Sequence, residues 1–300
     1  MVCGGARRRK PPHPLLSTRG RTMNHAVHFE LKDRDFRRIS ELAYSVCRIN
    51  LHQGKKELVR SRLAKRMRAL RIASFGEYIE RVESDGAELT RMIDALSTNL
   101  TTFFREPRHF DFLVENMFPA MKDNPAARCR FWCAGCSSGE EPYSLAMLLN
   151  EHLDGAGGRD IKILATDIST RMLDIARSGA YPETRFQNMD PLLKNKYFDR
   201  ADDRGESVRV AGPLLRQLIK FRYLNLMEPW PMKRNFDVIF CRNVMIYFDK
   251  PTQEALVRRF HEKLNPGGYL FIGHSESLIG VKHDFEFVQS SVYRRGGRAQ

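Results

Sequence analysis

Three carboxylates beside glycine-bracketed and apolar segments are the residues in this chain most suited by type and spacing to hold a ligand. The run Phe131-Trp-Cys-Ala-Gly-Cys-Ser-Ser-Gly-Glu-Glu-Pro-Tyr-Ser-Leu-Ala146 reads as a strand over 129–133, a loop of small residues and a helix. Gly135 and Gly139 bracket the loop. Glycine permits positive φ and lets backbone approach a small molecule closely. A tight strand-to-helix turn needs glycine as well, so the spacing leaves both readings open. The loop lacks the Gly-x-x-x-x-Gly-Lys-Ser/Thr pattern of a phosphate cradle, and Glu140 and Glu141 at its end would repel phosphate. A cationic or hydroxyl-bearing ligand therefore fits better than a nucleoside triphosphate. Downstream, the apolar strand expected over 161–168 carries Asp167 at its end. In doubly wound folds an acid there takes ribose hydroxyls. Capping of the next helix is the alternative.

Two further stretches are dense in chemistry. In Ser97-Thr-Asn-Leu-Thr-Thr-Phe-Phe-Arg-Glu-Pro-Arg108, the polar Asn99, Thr101 and Thr102 precede paired aromatics and Arg105. A simple linker needs no such density of hydrogen-bonding groups, so this segment is expected to lie across the ligand site. The plainer reading of Arg105 is a surface ion pair with Glu106 or Asp111. Residues 52–72 carry eight Arg/Lys against Glu57 alone, a net of +7, half of the chain's +14. A helix over 55–71 would bury Val59, Leu63, Met67 and Leu70. It would turn Lys55, Lys56, Arg60, Arg62, Lys65, Arg66, Arg68 and Arg71 to water. A face of one sign without i,i+4 partners suggests an acidic partner.

The elements that must position these residues follow from periodicity. Three hundred residues suit two domains or one with an appended module. No run approaches the ~20 apolar residues of a membrane span, and no apolar segment follows the basic N-terminus as in a secretory signal. The six scattered cysteines read as reduced cytoplasmic thiols. Cys133-x-x-Cys136 lacks a second pair at zinc-finger spacing, so no metal is expected. Residues 1–28, rich in Arg, Pro and Gly, read as a disordered basic tail with Met23 as an alternative start. Helices are expected over 33–49, 55–71, 75–83 and 87–96, giving an N-terminal helical domain over 29–106. From 107 to 300, strands alternate with helices, as in a mostly parallel, doubly wound α/β sheet. Within it, 181–217 breaks the alternation with short runs at 196–200 and 207–211, a small β insertion. Strands resume over 219–224, 236–241, 269–272, 284–289 and 291–294, with a helix over 251–264. Ligands of such sheets bind beyond the carboxyl ends of the strands, where Gly135, Asp167, Asn225 and Asn243 fall.

These motifs together closely resemble the CheR family, the S-adenosylmethionine-dependent methyltransferases of bacterial chemotaxis receptors. The resemblance covers about residues 30–295. It rests on Thr98-Asn-Leu-Thr-Thr-Phe-Phe-Arg-Glu106, Ser138-Gly-Glu-Glu-Pro-Tyr-Ser144, Ala165-Thr-Asp-Ile168, Phe236-Asp-Val-Ile-Phe-Cys-Arg-Asn-Val-Met-Ile-Tyr-Phe248 and Gly273-His-Ser-Glu-Ser277. It implies a helical domain, a Rossmann-like methyltransferase domain and a β insertion. It further implies that Asn99, Thr101, Arg105, Glu141, Asp167, Asn225, Leu226, Arg242 and Asn243 contact S-adenosylmethionine, and that Arg105 and Tyr247 lie near the transferred methyl. The implied product is a glutamate γ-methyl ester on the receptor's cytoplasmic helices, with the basic segment from Lys55 engaging that acidic bundle.

An ionised carboxylate needs no general base at neutral pH, so positioning and water exclusion are expected to carry the catalysis. Arg105 would orient the substrate carboxylate and face the donor. Tyr247 would donate a hydrogen bond or shape the pocket, and His274 reads as structural. Some family members grip a receptor C-terminal pentapeptide through a glycine-rich hairpin loop. The corresponding Arg200-Ala-Asp-Asp-Arg-Gly-Glu206 has one glycine and several charges, so tether binding is expected to be weak or absent. A monomeric, cytoplasmic enzyme is expected. Two rival functions stand against this. A nucleic-acid methyltransferase would suit the charge, but no aromatic array interleaves the basic residues and no Asn/Asp-Pro-Pro-Tyr/Phe is present. A non-catalytic receptor scaffold would not need Arg105, Glu141, Asp167 and Tyr247 intact.

Overall fold

In the computed structural model, Met1 and residues 29–203 and 205–297 are described. The basic tail and the alternative start at Met23 lie outside them. Four helices open the described chain: α1 (Asp33–Cys47), α2 (Lys56–Leu70), α3 (Phe75–Ser84) and α4 (Gly86–Leu96). Their apolar residues recur at helical spacing and close one core, with Phe36, Ile39, Val59, Leu63, Met67, Tyr78, Ile79 and Met92 all buried. Ser74 caps α3 by accepting from the Glu77 amide, and Glu77 in turn accepts from the Ala73 amide just before the cap. Asp85 caps α4. The first helix ends two residues before the expected position, because Arg48 adopts a left-handed conformation and stops it.

Two helices absent from the sequence reading follow, α5 (Arg108–Asn116) and α6 (Phe118–Asp123). The sheet then begins with β1 (Cys129–Ala134), α7 (Glu140–His152), β2 (Ile161–Asp167) and α8 (Thr170–Ser178). The insertion comprises β3 (Ala180–Pro182), α9 (Pro191–Tyr197), β4 (Phe198–Asp203) and β5 (Glu206–Ala211), followed by the short α10 (Pro213–Arg216). Its strands form a separate antiparallel sheet in the order β3-β5-β4. The strand expected over 196–200 therefore starts only at Phe198. Asp190 accepts from the Leu192 amide and Pro191 stands at the first helical position, which starts a helix instead.

The main sheet is completed by β6 (Ile219–Tyr223), β7 (Phe236–Cys241), β8 (Leu264–Ile272), β9 (Phe285–Gln289) and β10 (Val292–Arg295), with α11 (Lys250–Lys263) between β7 and β8. Strand order is β6-β2-β1-β7-β8-β10-β9. The first five strands run parallel, and β10 is antiparallel to both β8 and β9. Residues 265–268, between the expected helix over 251–264 and the expected strand over 269–272, sit inside β8. The ladder jumps from Phe236↔Leu264 to Val238↔Tyr269, so those residues bulge out. Strand order reverses between β1 and β7. A crevice opens at that reversal, outside the carboxyl ends of the strands.

Candidate active site

The helical domain docks over that crevice through side-chain and backbone bonds to the strand tips. The Tyr44 hydroxyl donates to Asp249 at 2.6 Å, and the Asn225 amide donates to the Val46 carbonyl at 2.7 Å. The Asn50 backbone amide donates to the Tyr247 carbonyl at 2.9 Å. Asp94 accepts from the Thr170 amide and hydroxyl, tying α4 to the start of α8. The result is a cleft partly open to solvent. It is lined by residues after β1, β2, β6 and β7 on one wall and by 96–105 and the end of α1 on the other. Asn99, Thr101, Arg105, Glu141, Asp167, Asn225, Leu226, Arg242, Asn243 and Tyr247 all line this one cleft.

The loop after β1 is glycine-bracketed for reasons of packing. A Cβ on Gly135, at φ +94, would lie 2.5 Å from Val244, and one on Gly139, at φ +97, would lie 2.9 Å from Ala176. The loop amides are spent internally. Gly135 and Cys136 donate to the Thr166 carbonyl, Ser137 to Asp167 and Gly139 to Cys136. A phosphate cradle would need those groups free, so the geometry agrees with the exclusion of a triphosphate. The two carboxylates part company. Glu140 is fully buried against Ser138 and Arg185, whereas Glu141 lines the cleft.

Asp167 stands at the end of β2 with backbone amides on both oxygens, and the following helix is capped by the Ser169 side chain, which accepts from the Met172 amide. One oxygen accepts from Ser137 of the loop at 2.7 Å, and the other accepts from the Ser169 amide at 2.8 Å, ahead of α8. Each oxygen keeps a lone pair for a hydroxyl. Burial pushes its carboxyl up to about 6 against the pull of those two amides. Asn225 is more committed than expected. Its amide nitrogen donates to Val46 and Glu228 and its oxygen accepts from Met227, so it shapes the cleft wall through its own loop.

Arg105 rises from a strained segment. The flanking Phe104 and Glu106 have φ of +52° and +57°, a conformation that costs on the order of 1–3 kcal/mol at each non-glycine residue. The Arg105 guanidinium donates to the Leu100 carbonyl at 2.8 Å and stands 4.0 Å from Glu106, longer than a hydrogen bond. Phe104 is anchored by the Ser144 hydroxyl, which accepts from its amide at 2.9 Å. Arg242, nearly all buried, forks between Glu106 and Glu141 and donates to the Arg105 carbonyl. Burial raises the Glu141 carboxyl, with Arg242 pulling it back. For Glu106 burial also pushes upward, but the Arg242 charge and hydrogen bonds outweigh it and hold the carboxyl below its usual range.

Ligand atoms of Glu106, His109 and His274 come within 4.8 Å of one another. This donor set does not suit a divalent cation, because the Arg242 guanidinium already sits on Glu106 and would stand against the metal's charge. Burial and the nearby Arg242 push His109 down to about 3, so it packs as a neutral ring against Phe271 and His274. The thiols of Cys133 and Cys136 are raised well above the ordinary cysteine range by burial. Neither is a thiolate at neutral pH.

The basic face of α2 is only partly free. Arg66 forks onto the buried Glu88 at 2.5 and 2.7 Å, and Arg62 donates to the carbonyls of Leu96 and Ser97 and to Thr98. Lys56 pairs with Asp33 and Arg60 with Glu57. The expectation of a face turned wholly to water is thus corrected: α4 and the segment after it pack against this helix and take part of its charge. Lys65, Arg68 and Arg71 are exposed. Leu70, expected in the buried stripe, is half-buried, and Ala64 takes its place. Lys55 stands just before α2, its ammonium 5.5 Å over the Tyr247 ring.

Comparison with known proteins meets this geometry. Residues 34–97 match the all-alpha domain of CheR methyltransferases and residues 99–294 match their SAM binding domain. The chain belongs to the CheR methyltransferase family. It is 40% identical over 277 residues to a chemotaxis protein methyltransferase of Borreliella burgdorferi, covering 90% of this chain and 96% of that one. It is 41% identical over 266 residues to chemotaxis protein methyltransferase 2 of Pseudomonas aeruginosa, covering 88% and 94%. A chemotaxis protein methyltransferase of Salmonella typhimurium is also 41% identical over 266 residues, covering 88% and 90%. The mixed α/β architecture with a mostly parallel sheet and an N-terminal all-α domain is that of the family.

In this CheR chain, sequence reasoning missed residues that hold the cleft from behind. Glu276 accepts from the backbone amides of Asn243, Ile246 and Gly273 at 2.6–3.2 Å, tying the loop after β7 to the loop after β8. It shapes the left-handed turn at Asn243, whose φ is +59. The available signal was position: Glu276, Ser144 and Glu106 all stand inside motifs that carry the family resemblance. Among the described residues, no helix is long and apolar enough to cross a membrane.

Proposed function

We propose that this chain transfers the methyl group of S-adenosylmethionine to the γ-carboxylate of glutamates on the cytoplasmic helices of chemotaxis receptors. The observation that carries the reading is the meeting of two features at one place. The cleft that Asp167, Glu141 and Arg105 line is also lined by Tyr247, whose ring lies under the Lys55 ammonium where the basic helix begins.

The cleft residues suit the donor. Asp167 offers carboxylate oxygens to the ribose diol, and Glu141 supplies negative charge on the wall facing a cationic group. Bound S-adenosylmethionine supplies an electrophilic methyl on a positively charged sulfur. Arg105 orients the acceptor carboxylate, and Tyr247 walls the reaction end of the cleft and excludes water. No side chain needs to remove a proton, because a glutamate carboxylate is already ionised at neutral pH. In-line positioning can supply as much as about 7–11 kcal/mol of the barrier reduction. Lys65, Arg68 and Arg71 draw the acidic helix in and act on encounter more than on chemistry. The chain works as a cytoplasmic monomer, and its charged hairpin does not hold a receptor tail peptide. A titration with such a peptide should give no micromolar affinity.

The test is base-labile methanol release after incubation with labelled S-adenosylmethionine and several receptor cytoplasmic fragments. Label released as methanol from at least one fragment supports the reading. Label transferred to RNA and to no receptor fragment supports nucleic-acid methylation instead, and no transfer to either supports a scaffold.

A further inference from the structure

Glu106 has no role in the chemistry above, yet it is the point at which the segment carrying Arg105 meets the loop after β7. Its Oε2 accepts from Arg242 Nε at 3.3 Å and Nη2 at 3.1 Å. Its Oε1 lies 3.4 Å from the Asn243 side-chain amide nitrogen. The side chain is 11% exposed. Both partners belong to the loop after β7, more than 130 residues away in sequence. The backbone of Glu106 meanwhile follows Arg105 directly, in a left-handed conformation that a glutamate adopts only when held. Arg242 completes the loop by donating to the Arg105 carbonyl itself.

We infer that Glu106 is a positioning residue. Through Arg242 and Asn243 it fixes the strained turn that presents Arg105 to the cleft, and it acts on methyl transfer through Arg105. The inference rests on the proposed role of Arg105 beside the reacting groups. Two features separate it from a general structural role. Arg242 has a second carboxylate in Glu141 at 3.1 Å, so loss of the Glu106 charge does not leave the buried guanidinium unpaired. Asp167 and the loop after β1 share no hydrogen bond with Glu106, so the sugar end of the cleft should be untouched.

The experiment is a double-mutant cycle with Glu106→Gln and Arg105→Ala, read as kcat on a receptor fragment, with the Kd of S-adenosylhomocysteine measured by calorimetry. Glu106→Gln is expected to lower kcat about 100-fold, the scale of a 1 Å misplacement, while the Kd stays within about threefold. The double variant should be no slower than Arg105→Ala, because both changes remove one function. Additive losses, or a rise in Kd that accounts for the whole effect, would overturn the inference. Amide hydrogen exchange supplies a readout that needs no turnover. Exchange over 100–107 should speed about tenfold in Glu106→Gln and stay unchanged over 135–139, and equal rates in both segments would overturn it too. If Glu106→Gln melts early, Glu106→Asp, which keeps the charge and shortens the reach to Arg242 and Asn243, takes its place in the cycle. A wild type that binds S-adenosylhomocysteine but methylates no receptor fragment counts against the proposed function, while the exchange result still decides Glu106.

Discussion

At the scale of single residues, Asp167 makes the site sensitive to pH. A buried carboxyl lifted to about 6 holds a proton more tightly in the folded state than in the unfolded chain. Its contribution to stability is full below the unfolded value near 3.8 and is lost as pH rises through about 6. Ligand binding runs the other way. Ribose hydroxyls donate to the ionised form, so S-adenosylhomocysteine should bind with constant affinity above pH 7. Below about pH 6 its Kd should rise by up to about tenfold per unit, and calorimetry at pH 5.5 and 7.5 checks this. Tyr247 gives a second expectation. A reaction without proton transfer should keep kcat within about tenfold in Tyr247→Phe, the scale of one hydrogen bond. Tyr247→Ala, which opens the cleft wall, should lose far more. Asp167 and Glu141 were legible in the sequence because a strand end and a loop end announce them. Glu106, Ser144 and Glu276 were not, since Asn243 stands 137 residues from Glu106 and 33 from Glu276 and Phe104 stands 40 from Ser144, and only folding brings them together.

At the scale of elements, α2 divides its charges between holding the protein together and facing outward. Arg66 pairs with a glutamate that is 1% exposed. Arg66→Ala should therefore destabilise by about 3 kcal/mol, because it strips the main partner from a buried carboxylate; thermal or urea unfolding would show it. Reversing Lys65, Arg68 and Arg71 to Glu should leave stability within about 1 kcal/mol. It should raise KM for a receptor fragment about tenfold or more, with the S-adenosylhomocysteine Kd unchanged. The wild-type KM should itself climb with salt, as expected of exposed charges. Sequence periodicity located α1 to α4 closely because their apolar stripes repeat cleanly. It mistook the start of β4 because Asp190-Pro191 begins a helix just before it, and it passed over α5 and α6, whose apolar residues are crowded by Met117 and Pro119 into two short pieces. The charge pattern of α2 was legible, but its division was not, because Glu88 and the carbonyls of Leu96 and Ser97 arrive from other parts of the chain.

At the scale of the molecule, the reversal of strand order between β1 and β7 creates the crevice and the helical domain roofs it. The roof is bonded through Tyr44, Val46, Asn50 and Asp94 to the same tips that carry the cleft residues. A basic surface and the cleft proposed for the donor are thereby held in one frame, with the Lys55 ammonium over the Tyr247 ring between them. The alternation of strands and helices made this architecture readable from sequence. The docking of the roof was not, because bonds such as Asn225 to Val46 join residues 179 apart. The central claim is that this cleft binds the methyl donor with Asp167 anchoring its sugar. Isothermal titration of S-adenosylhomocysteine into the wild type and Asp167→Ala tests it most directly. The account predicts saturable one-to-one binding by the wild type and a Kd at least about tenfold higher in the variant. No heat with the wild type, or equal affinity in the two proteins, would contradict it.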